Sequence, residues 1–83
     1  MLTLNKIQAM QCAVIKEIID HDNLKQRLND LGLCEGSVIK CLGYSPLGDP
    51  HAYLIGGAVI ALRNSDCNYV KVNLCNEEDI YAR

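Results

Sequence analysis

Turn-forming residues cut this chain into apolar runs of four to nine residues, and one stretch alone repeats its apolar positions at helical spacing. Runs that short make strands rather than a helical bundle. Gln11 to Ile19 is rich in β-branched residues and ends at the polar run Asp20, His21, Asp22, Asn23, which suits a strand feeding a turn. Its alternation is imperfect, so both faces are expected to be partly covered. Val38 to Tyr44 reads as a second strand. Ala52 to Ile55 and Ala58 to Arg63 are joined by Gly56-Gly57, the two-residue link of a tight hairpin. Asn64, Ser65 and Asp66 make a turn, and Tyr69 to Leu74 alternates cleanly, with Val70, Val72 and Leu74 on one face.

The helical stretch begins at Asn23, read as an N-cap with Gln26 as its reciprocal partner. Leu24, Leu28 and Leu31 then fall on one face. Gly32 occupies the position that favours a left-handed residue, and Leu33 is placed to fold back on the last turn. A helix of about ten residues is too short to stand alone and must pack on strands. The order β-α-β-β-β-β implies a mainly β (α+β) domain, a small five-stranded barrel with one capping α-helix.

With 83 residues, 49% of them apolar and none Trp or Phe, the core must be aliphatic and modest, which disfavours a deep enzyme pocket. One domain over residues 1–75 is expected, followed by a short charged tail over 76–83 in which Ile80 and Tyr81 are the apolar residues. The net charge of -2 and the lack of a Lys/Arg cluster argue against nucleic acid as a partner. No apolar run reaches the length of a membrane-spanning helix, and Asn5, Lys6 and Gln8 interrupt the start, so a cytoplasmic protein without direct membrane insertion is expected. Cys12, Cys34, Cys41, Cys67 and Cys75 are odd in number and form no C-x-x-C pair, as expected for reduced thiols.

Chemistry-bearing residues are few. Neither Gly56-Gly57 nor Gly48-Asp49-Pro50 belongs to a phosphate-binding motif. No cysteine is bracketed by a nucleophile signature, so no enzyme is expected. His21, His51 and Asp49 are the candidates for a transition-metal site, because two imidazoles and a carboxylate form a ligand set for ferrous iron. The histidines lie in separate turns, however, and no resident cofactor is expected. The loop Pro46, Leu47, Gly48, Asp49, Pro50 is the better surface: a leucine between proline and glycine has no obvious core direction, and an apolar side chain on a stiff loop suits protein recognition.

The loop Ser45 to Pro50, followed by Ile60-Ala61-Leu62-Arg63 and by Tyr69-Val70-Lys71-Val72, resembles FeoA, the small protein of bacterial ferrous iron transport. Leu2-Thr3-Leu4, Val14-Ile15, Arg27-Leu28 and Leu31-Gly32-Leu33 through Gly36 and Val38 continue the likeness in the family's order, over residues 2–75. Met10 stands where such proteins usually carry glycine, and Cys34-Glu35 replaces a threonine-proline-like pair. The resemblance implies an SH3-like barrel. It also implies a non-catalytic accessory or regulatory role beside FeoB, the membrane iron permease with a cytosolic GTP-binding domain, and hence a place at the inner face of the membrane. An aromatic-lined groove for proline-rich peptides does not follow, since four tyrosines are poor material for one. The alternative is a small sensor or carrier binding ferrous iron or zinc through His21, His51, carboxylates and Cys34 or Cys67. An open barrel edge would also permit a homo-oligomer.

Overall fold

The computed structural model describes residues 1–76; the tail expected over 76–83 lies outside the described residues apart from Asn76. Five strands, β1 (Cys12–Ile18), β2 (Val38–Tyr44), β3 (His51–Ile55), β4 (Ala58–Leu62) and β5 (Val70–Cys75), form one antiparallel sheet in the order β4-β3-β2-β1-β5. Helix α1 (Leu24–Asp30) joins β1 to β2, and a single helical turn, α2 (Asn64–Cys67), stands where a simple turn was expected between β4 and β5. The sheet bends around Leu4, Ile7, Ile15, Ile39, Tyr53, Val70 and Val72 to give an SH3-like barrel, open between β4 and β5 among the described residues. No helix of the described residues is long and apolar enough to cross a membrane.

The irregular alternation of β1 has a structural cause. Its register against β5 slips between Ile15 and Glu17, a bulge that turns Ile18 back to the core. Both Cys12 and Ala13 are buried, as expected for a strand covered on two faces. Gly56 and Gly57 have φ of 56° and 82°, the doubly positive pair that a type I′ turn requires.

Helix α1 departs from expectation at its start. Asn23 stands at the N-cap but is left-handed (φ 63°) and makes no side-chain cap; Gln26 donates instead to Asp30 Oδ1 at 2.9 Å. The consecutive positive φ values of Asp22 and Asn23 fold the chain so that Asp20 Oδ1 accepts the Lys25 N–H at 3.2 Å. The helix is accordingly seven residues long, not ten. Its C-terminus follows the expected pattern: Gly32 (φ 96°) donates to Asn29 O and Leu33 to Leu28 O, both at 2.9 Å, a complete Schellman ending. That reversal buries Leu33 and leaves Leu31 half exposed, so the core-facing set of this segment is Leu24, Leu28 and Leu33. On β5, likewise, Val70 and Val72 are buried whereas Leu74, near the strand end, is exposed.

Met10 has φ 73°, a left-handed residue entering β1 where the resemblance points to glycine. Its N–H donates to Cys41 O at 2.7 Å, which fixes the entry of β1 against β2.

Candidate functional site

The loop between β2 and β3 is closed by Tyr44 pairing with His51 across the ladder. Ser45 braces it three ways. Its N–H donates to Pro50 O at 3.1 Å, its Oγ donates to Asp49 O at 2.6 Å, and its own carbonyl accepts the Gly48 N–H at 2.7 Å. The last bond closes a β-turn with Pro46 at the second position, where its fixed φ fits, and with Gly48 (φ 85°) leaving the turn in a left-handed conformation. The Asp49-Pro50 peptide is cis. Asp49 Oδ1 reaches out of the loop to accept the Asn64 N–H at 2.9 Å, at the first turn of α2.

The consequence is a tied loop with an untied tip. Leu47 is 94% exposed. It does not tuck beneath its own loop, and the brace beneath it removes much of the ordering cost that a flexible loop would face on binding. Leu42 and Tyr44, on the strand leading into the loop, are further partly exposed apolar residues. Pro46, Leu47, Gly48, Asp49 and Pro50 are thus brought together on one exposed loop.

Beneath the loop lies a buried polar cluster. His51 is 5% exposed, with its ring 4.2 Å from that of Tyr44 and its Nδ1 3.1 Å from the Tyr53 hydroxyl. Tyr53 is fully buried and donates to Leu4 O at 3.4 Å, while Tyr44 donates to Ile7 O at 2.7 Å. Both tyrosines thereby pin the N-terminal segment under the barrel. Burial pushes the Cys67 thiol up to about 11, against the opposing effect of its hydrogen bond with Tyr53. Burial likewise raises Cys41 and Tyr53. These groups stay protonated at neutral pH, which makes poor nucleophiles and poor metal ligands of Cys41 and Cys67.

His21 is in a different setting. Its ring stacks on Tyr69 at 4.7 Å and its Nε2 lies 3.3 Å from Asp22 on the surface. His51 is not in a turn but opens β3, with its ring against Tyr44 and its Nδ1 facing the Tyr53 hydroxyl, while the carboxylate of Asp49 accepts from Asn64. Among the described residues no group of three or more His, Cys, Asp or Glu side chains could hold a metal ion. Cys34, exposed beside the end of α1, places its Sγ 3.2 Å from Ser37 Oγ.

Two parts of this site escaped sequence reasoning. Ser45 reads as part of the loop but not as its brace, and Tyr44, which flanks it, carries no motif. The Asp49–Asn64 contact spans 15 positions and has no local sign at all.

A comparison with protein families matches residues 2–74 to the FeoA domain. Among solved structures, the chain is similar to the FeoA-like protein of Clostridium acetobutylicum, with 25% identity over 92% of this chain and 88% of that one and a TM-score of 0.84. It is similar to the FeoA protein of Chlorobium tepidum, with 27% identity over 90% and 71% of the two chains and a TM-score of 0.84. It is also similar to Stenotrophomonas maltophilia FeoA complexed with zinc, described as a procaryotic SH3 domain protein and a candidate ferrous iron transport activating factor, with 28% identity over 88% and 91% of the chains and a TM-score of 0.77. A comparison with curated proteins finds no match.

Proposed function

Because this chain belongs to the FeoA family, a family associated with ferrous iron transport, we propose that it is a non-catalytic accessory or regulatory module that docks on the cytosolic part of a FeoB-type permease through the Pro46–Pro50 loop. The observation that carries this reading is Leu47, 94% exposed on a loop whose base is tied by Ser45 and by the Asp49–Asn64 bond. A tethered apolar side chain of this kind is suited to fill a partner's pocket, where burying a leucine contributes about 1.5–3 kcal/mol. Burial keeps Cys41 and Cys67 protonated, so neither of these two thiols is activated as a nucleophile. Docking on the permease would hold the domain at the inner face of the membrane.

Co-purification of tagged FeoB with this protein tests the reading, with ferrous iron uptake as the second readout. Leu47→Asp is expected to abolish capture and reduce uptake while leaving the melting temperature unchanged. Capture at the wild-type level would remove the loop from the interface. Calorimetric titration of the reduced protein with ferrous iron or zinc tests the rival role of metal sensor or carrier. Micromolar binding lost on His21→Ala and His51→Ala would support that rival; its absence would leave contact as the mode of action.

A further inference from the structure

The two edges of the sheet are treated differently. On β5, Lys71 bridges to Thr3 and the Val72 N–H donates to Leu2 O at 3.0 Å, so the N-terminal segment covers that edge. Strand β4 pairs with β3 on one side and with no strand on the other among the described residues. Its sequence, Ala58-Val59-Ile60-Ala61-Leu62, contains no charge and no proline, the usual means by which an edge is protected.

Register tells which backbone groups this edge offers. Ile55 and Ala58 flank the two-residue turn and form a hydrogen-bonded pair, so by alternation Tyr53 with Ile60 and His51 with Leu62 do the same. Val59 and Ala61 therefore point their N–H and C=O groups away from β3. We propose that β4 is a self-pairing edge, on which a second copy of this chain adds its own β4 antiparallel about a two-fold axis at Ile60.

The strand is self-complementary in that register. Val59 of each copy exchanges both backbone bonds with Ala61 of the other, and Ile60, partly buried against the core, meets Ile60 of the second copy. Leu62 comes opposite Ala58, and Arg63, the nearest charged residue, comes opposite Gly57, which has no side chain to oppose it. The same glycine turn arrives beside Arg63, at the end of β4, where a groove of about 460 Å³ bordered by Ala61, Leu62 and Arg63 separates the strand from Leu24, Leu28 and Leu31 of α1 and its end, so the helix leaves room for it. The valine, isoleucine and alanine side chains exposed along the edge gain cover in the pair, and no like charges are brought together. One short strand pair is smaller than stable interfaces of about 1,200–2,000 Å². The expected dissociation constant is on the order of 0.1–1 mM.

This inference is independent of the loop reading. Sedimentation equilibrium of the full chain from about 0.02 to 2 mM tests it. The wild type is expected to move from monomer to dimer across the series. Ala61→Pro removes an outward N–H without touching the β3 ladder, and Val59→Lys places a charge on the exposed edge; both are expected to stay monomeric at the highest concentration. Amide spectra of the Val59→Lys variant confirm that its barrel is intact, and Leu47→Asp is expected to dimerise as the wild type does. A wild type that remains monomeric throughout, or a folded Val59→Lys variant that dimerises undiminished, overturns the proposal.

Discussion

The carboxylate of Asp49 accepts the backbone N–H of Asn64 at 2.9 Å, joining the proline-flanked loop to the helical turn that follows β4. One bond thus serves two elements: it satisfies a donor at the first turn of α2 and holds the base of the loop that presents Leu47. Caps of this kind contribute about 0.5–2 kcal/mol. Asp49→Ala is expected to lower stability by that amount in urea denaturation, and Asp49→Asn, which keeps an acceptor, by less.

Met10 occupies a left-handed conformation at the entry to β1. For a residue with a Cβ that conformation costs roughly 1–2 kcal/mol, against about 0.5–1 kcal/mol of extra chain entropy lost by a glycine. Met10→Gly is therefore expected to raise stability by up to about 1 kcal/mol. The β-branched Met10→Val should lower it. Thermal melts of both variants check the pair of signs.

Alkaline pH should unfold this protein more readily than its composition suggests. Folded, Cys67 keeps its proton up to about 11; unfolded, it releases it near the ordinary 9.0. Between those values the unfolded chain has lost a proton that the folded chain retains, so stability is fully present below the window and falls as pH rises through it, by about 1.4 kcal/mol per pH unit for one proton. Cys41 and Tyr53, also raised by burial, act in the same direction. Melting temperatures should hold level from about pH 7 to about 9 and fall steeply between about 9 and 11, and more gently in Cys67→Ala.

Helix α1 offers a contrast between two leucines of one apparent stripe. Leu28 is buried and Leu31 half exposed. Leu28→Ala is expected to cost about 2–5 kcal/mol, as core truncations do, whereas Leu31→Ala should stay within about 1 kcal/mol because half of the side chain is in water already. Urea midpoints of the two variants separate these outcomes.

What could be read from the residues alone was whatever depends on neighbours in sequence. The bounds of β2, the Gly56-Gly57 hairpin and the Schellman ending at Gly32-Leu33 all arise from local backbone preference, and each appears as expected. Features set by contact were not legible. Asp20 rather than Asn23 caps α1 because two consecutive left-handed residues turn the chain, and nothing in the letters Asp22-Asn23 demands both. Leu31 follows the helical period yet loses its core position to Leu33, since the helix ends there. Leu47 was legible as a loop-tip leucine. Its bracing by Ser45 and the link from Asp49 to Asn64 depend on strands brought together only by the fold.

The account rests on contact through a tied loop, and a titration of the ¹⁵N-labelled protein with the cytosolic domain of FeoB tests it most directly. The amide signals of Ser45, Leu47, Gly48 and Asp49 are expected to shift or broaden first and furthest, with those of the barrel core unmoved. An unchanged spectrum, or shifts confined to surfaces away from residues 45–50, would contradict it.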